Sequence, residues 1–141
     1  MASFNKFQQF VEDLAEKVHN LGSDQLKVAL TNTLPVATNS IYANLTSPLA
    51  TTNLSGANPF NLTTSASVQT TGTYKLTIAD LVLTATGAVG PFRYIVVYND
   101  TPTSPADPLI CWFDYGSSIS LANGETFTID FDGSNGLLTL V

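Results

Sequence analysis

Three observations predict a mainly β chain: an antiparallel β-sandwich or jelly-roll-like domain of about eight strands, with one amphipathic helix at the N-terminus. The first is a C-terminal half in which aromatic and branched runs are punctuated by Pro, Gly, Asn and Asp. Those runs are Gly90-Pro-Phe-Arg-Tyr-Ile-Val-Val-Tyr-Asn-Asp, Leu109-Ile-Cys-Trp-Phe-Asp-Tyr-Gly, Glu125-Thr-Phe-Thr-Ile-Asp-Phe-Asp-Gly and Gly136-Leu-Leu-Thr-Leu-Val. The second is a change of hydrophobic period near Asp24, from helical to two. The third is composition: 11% of residues are charged, against roughly 25% in an average soluble domain. Thr, Ser and Asn replace the missing charge, which suits strands and close contact with neighbours.

At 141 residues the chain reads as a single domain, 1–141, large enough to bury a core without disulfides or metal. The N-terminal helix is expected over residues 3–22. Phe4, Phe7, Val11, Leu14, Val18 and Leu21 recur at steps of three and four and so share one helical face. Ser3 stands at the N-cap position and Gly22 at C′. Asn5, Gln9, Glu12, Asp13, Glu16 and Lys17 cover the opposite side as a solvated face.

Residues 24–141 make the sandwich. Leu26, Val28 and Leu30 alternate with Lys27 as a half-buried strand, which Pro35 ends. Residues 37–71 carry no Lys, Arg, Asp or Glu, and read as a loop laid on a partner or as short edge strands, with weak strand signals at Ile41–Leu45 and Leu62–Gln69. Tyr74, Leu76 and Ile78 resume the alternation, Asp80 marks a turn or bulge, and Leu81 and Leu83 carry it on to Ala85. Strands follow at Phe92–Tyr98, Leu109–Tyr115, Thr126–Phe131 and Leu137–Val141. Asn123-Gly124 signals a hairpin.

Chemistry-bearing groups are few. The carboxylates Asp114, Asp130 and Asp132 offer acid–base candidates, with Asp130 and Asp132 on one strand face opposite Phe127, Ile129 and Phe131. No partner group completes a catalytic site around them. Asp130-Phe-Asp-Gly-Ser-Asn-Gly has oxygen donors at alternate positions but lacks the closing glutamate of a calcium loop, so it reads as a β-turn. His19 has no second His or Cys beside it. Cys111, the one cysteine, sits among Leu109, Ile110, Trp112 and Phe113 as a small buried hydrophobe. Phe92, Tyr94 and Tyr98 are expected on one face, and Trp112 opposite Phe113 and Tyr115. Most of these aromatics fill a core, and the rest offer a sugar-stacking platform. No catalytic residue, metal or cofactor is assigned.

The formal net charge is −6, and the five basic residues Lys6, Lys17, Lys27, Lys75 and Arg93 stand singly. Without a cationic cluster there is little counterion release or attraction to anionic lipid, which argues against nucleic acid and membrane as partners. No secretory leader is recognised, so synthesis in a cytoplasm is expected.

Several segments carry a family resemblance. They are Phe4-Asn-Lys-Phe with Phe10-Val-Glu-Asp-Leu-Ala-Glu, Leu21-Gly-Ser-Asp with Leu26-Lys-Val-Ala-Leu-Thr-Asn-Thr, Val97-Tyr-Asn-Asp-Thr, Trp112-Phe-Asp-Tyr-Gly and Asn123-Gly-Glu-Thr-Phe-Thr-Ile. On these the chain resembles small proteins encoded among the head and structural genes of tailed bacteriophages. Agreement is poorest between Tyr42 and Ser67, where Asn58-Pro-Phe-Asn-Leu replaces a Gly-rich stretch. The resemblance implies a non-enzymatic capsid decoration or cement protein on the virion exterior, made in the host bacterial cytoplasm. Its implied partners are the major capsid protein and further copies of itself, as a dimer or trimer. Candidate interface residues are Phe4, Phe7, Val11, Leu14, Leu45, Leu49, Leu54 and Phe60. A tail or fibre module that binds a host-surface glycan through exposed aromatics is the alternative.

Overall fold

The longest aromatic and branched runs become the longest strands. The computed structural model describes residues 2–141. Among them the elements follow as β1 (Asn5–Lys6), α1 (Phe10–Ala15), β2 (Leu26–Thr31), β3 (Thr64–Thr70), β4 (Thr73–Ile78), β5 (Leu81–Thr84), β6 (Val89–Asn99), β7 (Leu109–Leu121), β8 (Thr126–Ile129) and β9 (Leu138–Leu140), with a 3₁₀ turn at Tyr42–Asn44. The mainly β, antiparallel class with one short N-terminal helix is as expected, with nine strands for the eight anticipated. One sheet runs β1-β7-β6-β2, a second β3-β4-β9, and a third pairs β5 with β8.

Side chains from all three sheets meet in the main core. Leu26, Val28 and Leu30 of β2 and Ile95 and Val97 of β6 pack with Leu76 and Ile78 of β4, Leu83 of β5 and Ile129 of β8. The opposite face of the large sheet is buried as well. Ala29, Val96 and Tyr98 form a second cluster there with Phe7, Leu45 and Leu109, and Tyr42 and Trp112 pack partly against it. Val96 and Val97 are both fully buried although neighbouring side chains of a strand point to opposite faces. The cover on this outer face is the chain's own N-terminal segment and uncharged loop.

Backbone hydrogen bonds stitch this cover and then the β2 edge, over which the chain passes from the outer cluster to the main core. Tyr42 N donates to Asp107 O (2.9 Å), Leu49 N to Leu30 O (2.8 Å) and Leu62 N to Leu26 O (2.9 Å). The uncharged stretch is therefore a belt wrapped on its own sheet. Its weak strand signal at Ile41–Leu45 is a 3₁₀ turn, whereas the signal at Leu62–Gln69 is realised as β3.

The helix is much shorter than its apolar periodicity predicts. Asn5 and Lys6 pair with Trp112 and Cys111 of β7, and the Phe7 ring lies 4.7 Å from Trp112. Burying Phe7 completely on the outer face outweighs the few helical hydrogen bonds it forgoes. At the other end Lys17 takes a left-handed φ of 69°. Val18 N then bonds Asp13 O (2.8 Å) and Lys17 N bonds Leu14 O (3.4 Å), the paired bonds of a Schellman ending. Ser3 and Gly22 therefore cap nothing. Val11 is 51% exposed while Asp13, expected in solvent, is buried.

Two further corrections come from bulges and turns. Val97 pairs with Cys111 but Tyr98 with Leu109, so Ile110 is an extra residue and both Ile110 and Cys111 reach the main core. A larger irregularity pairs Phe92 with Ile119 but Tyr94 with Asp114. It reverses the alternation, so Phe92 joins the main core and Tyr98 the outer cluster, not one common face. At Ala122–Glu125 only Gly124 has a positive φ (88°), which gives a type II turn instead of the two left-handed residues of a hairpin turn. The chain accordingly leaves β7 and β8 pairs with β5.

Truncating Phe7 opens the outer cluster at its centre. Phe7→Ala is expected to cost about 3–5 kcal/mol of stability, read as a lowered denaturant midpoint. A loss near that of an exposed residue would show that this face does not hold the fold.

Candidate functional site

Alternation on two neighbouring strands builds an aromatic cleft. Phe113 and Tyr115 of β7 point one way, as expected, and Phe127 and Ile129 of β8 face them. Phe127 is the hinge of the set, edge-on to Phe92 at 5.2 Å and to Tyr115 at 5.5 Å. The pairing of β1 delivers Phe4 to the mouth, edge-on to Phe113 at 6.1 Å. The cleft holds about 590 Å³, with Ile95, Phe131 and Leu137 also in its lining. That volume is within the 300–1,000 Å³ typical of small-molecule sites.

Asp130 and Asp132 line the same cleft, but β8 ends at Ile129, so they sit on the loop beyond it and not on a strand face opposite Phe127, Ile129 and Phe131, which line the cleft too. Their situations differ. Asp132 Oδ1 accepts from Ser134 N (2.9 Å) and Asn135 N (2.8 Å), and Oδ2 from Asn135 Nδ2 (2.8 Å). These bonds, led by the Asn135 amide, hold its carboxyl below the usual range. The segment is thus an Asx-type turn, in line with the β-turn reading. Asp130 makes no hydrogen bond among the described residues and stays exposed.

Asp114 is committed elsewhere. Arg93 Nε donates to its Oδ1 (2.7 Å) and Nη2 to its Oδ2 (3.0 Å), and Gly116 N adds a third bond at 2.8 Å. The Arg93 hydrogen bonds lower the Asp114 pKa first and the Gly116 amide second. Trp112 lies on the other side of the sheet from the cleft, in the outer cluster. Cys111 is fully buried, and burial drives its thiol pKa well up.

Four of the expected interface residues are interior: Phe7, Leu45, Leu54 and Phe60 are each at most 8% exposed. Phe7 and Leu45 fill the outer cluster and Leu54 and Phe60 the main core, so none of the four is open to a partner. Phe4 and Val11 remain on the surface, and Leu14 and Leu49 are half-buried. Two residues that sequence reading passed over, Leu34 and Val36, are 58% and 57% exposed. Their signal was present in the sequence, since both flank the strand-ending Pro35 in the charge-free stretch.

A second cavity, of about 510 Å³, lies between the helix end and β4, lined by His19, Asp24, Ser67 and Tyr74 among others. Beside it a polar network crosses the fold. Asn99 Nδ2 donates to Asp24 Oδ2 (2.7 Å) and lies 3.1 Å from His19 Nδ1. With Nδ1 accepting, the imidazole proton sits on Nε2, which is buried without a partner, as is Asp13 Oδ2. Sequence carried no signal for this network, because its members stand up to 80 positions apart.

No match was found in comparisons with protein-family models, curated proteins and solved structures. Among the described residues no helix is long and apolar enough to cross a membrane.

Burial lowers the His19 pKa, and the Asp13 and Asp24 charges only partly oppose it. The neutral ring is the form that folds, so the unfolded chain binds the extra proton. Stability is therefore complete above about pH 6.5 and falls as pH drops below it. Between about pH 5 and 6.5 ordinary carboxylates stay ionised, and His19→Gln should flatten the slope of denaturant stability against pH there. An unchanged slope would remove His19 from the account.

Proposed function

We propose that this chain is a non-enzymatic phage virion structural protein. It binds the outside of the capsid shell as a decoration or cement protein, in contact with major capsid protein and with copies of itself. The observation that carries this is the stretch between Lys27 and Lys75, a third of the chain with no charged residue. Burying such a surface in a partner incurs little charge desolvation. Within it Leu34 and Val36 project as the contact patch. Gln8 N donates to Ala37 O (2.9 Å), which sets that loop beside the helix exposing Val11. The family resemblance stated on the segments from Phe4 to Ile129 supports the same reading.

The mechanism is linkage. A protein that binds the closed shell and not its separated subunits stabilises the shell by about 2.7 kcal/mol per site at a hundredfold excess over Kd. Many copies act together. Purified protein added to shells lacking it should bind saturably and raise the temperature at which they open. Leu34→Asp with Val36→Asp should weaken that binding by roughly tenfold or more. No binding at saturating concentration would overturn the reading.

The aromatic cleft favours a second reading, a tail or fibre module holding a host-surface glycan. Tyr115, 53% exposed, offers a stacking face and Asp130 a hydrogen-bond acceptor. Calorimetric titration with a glycan panel should then show saturable binding that Tyr115→Ala abolishes. Heat no greater than dilution would end it. Trp112, on the far side of the sheet, is not a reporter for this site.

A further inference from the structure

All but one of the strands that end a sheet in this fold are short or covered, and the part of β7 that β1 leaves open is interrupted by a positive φ at Gly116 (101°) and carries the Arg93–Asp114 ion pair. The β2 edge is stitched by Phe60, Leu62 and Leu49, through Val28 N to Phe60 O (3.0 Å) and the two bonds described above. Strand β1 has two residues and β9 three, and β5 and β8 have four each. Strand β3 has seven, Thr64–Thr70, and pairs only with β4. Beyond that ladder its backbone receives one bond, from Thr71 Oγ1 to Thr70 O (2.8 Å).

Soluble proteins blunt such an edge with Lys, Pro or an inward charge. The run Thr64-Ser-Ala-Ser-Val-Gln-Thr has none of these, and its one large apolar side chain, Val68, is 50% exposed. The edge is also self-compatible, since a second identical strand brings no like charges opposite one another.

The turn fixes which backbone groups are free. Thr71 and Gly72 take φ of 50° and 86°, the two left-handed residues of a type I′ hairpin turn closed by Thr70 and Thr73. Bonded and non-bonded pairs alternate from that closing pair. Val68, opposite Lys75, is thus bonded to β4, while Ser67 and Gln69 turn their N–H and C=O outward.

We infer that β3 is the surface through which two copies of this chain associate, pairing antiparallel about a two-fold axis at Val68. Ser67 of each copy faces Gln69 of the other, and the two Val68 side chains meet as a non-bonded pair. The small sheet then continues from one copy into the next as six strands. This rests on the self-association within the function proposed above, and names its contact. A single strand edge is below the ~1,000 Å² of a self-sufficient interface. The pairing is therefore weak in dilute solution and strengthens where copies are held side by side on a shell.

Cysteine cross-linking reads the register directly. Non-bonded antiparallel partners stand about 4.5 Å apart at Cα, within disulfide reach, and the native Cys111 is buried out of competition. Val68→Cys should form a covalent dimer under mild oxidation roughly tenfold or more faster than Thr70→Cys, whose counterpart across the axis is Ala66. Adding Ser67→Pro to Val68→Cys removes an outward donor and should suppress the cross-link, with circular dichroism confirming an unchanged fold. Light scattering on wild type should show mass rising with concentration, and on Val68→Asp it should not. Cross-linking of Val68→Cys no faster than Thr70→Cys, or a wild-type mass of one chain at every concentration, overturns the inference. Shell binding by wild type alongside that negative result would reject the β3 contact and leave the shell-binding reading standing.

Discussion

The burial of both faces of the β2–β6 strand pair is the constraint on which the rest of this structure depends. A strand with side chains buried on both sides has to be covered on both sides, and the two covers here differ in kind. One is a conventional partner layer built from β3-β4-β9 and β5-β8. The other is irregular chain: Phe7 against Trp112, Tyr42 at 5.0 Å from Tyr98, and Leu45 beside them. Because irregular backbone carries unpaired amides, it settles on a sheet only where those groups find partners. The bonds from Gln8 N to Ala37 O, Tyr42 N to Asp107 O and Leu109 N to Ser40 O supply them.

Much else follows from that second cover. Phe7 is drawn out of the helical pattern, so β1 forms and α1 begins only at Phe10. The belt consumes apolar residues that a purely surface loop would display. What remains on its outside is Ser, Thr and Asn with Leu34 and Val36, a surface that water solvates weakly compared with one bearing Lys and Glu. An exterior of this kind suits the proposed role on a shell, where contact area matters more than any single reactive group.

The regular parts were legible in the sequence because their periods are local. The alternation of Leu26, Val28 and Leu30, of Tyr74, Leu76 and Ile78, and of Phe127, Ile129 and Phe131 each emerged on the expected face. Three things were not legible. The Phe4 to Leu21 spacing is helical in period, yet long-range burial of Phe7 and a left-handed Lys17 override it. The faces of Phe92 and Ile110 depend on bulges, which are properties of two strands together. The buried carboxylate Asp13 and the His19–Asp24–Asn99 network join distant segments that no local pattern connects. At the candidate site the common face of Phe113 and Tyr115 was readable from spacing alone; the turn that carries Asp130 and Asp132 off the end of β8 was not. The arrival of Phe4 at the cleft was not, since it requires β1 to pair with β7.

Native-state hydrogen exchange of the dilute protein tests the belt most directly, because it reads each backbone amide separately. The amides of Gln8, Tyr42 and Leu45, bonded to Ala37 O, Asp107 O and Tyr42 O, should exchange with opening free energies close to those of Val96 and Val97, as members of one cooperative unit. Exchange of these three at the rate of an unstructured peptide, with β6 still protected, would contradict the account and show that the outer face of the sheet is held by something other than its own chain.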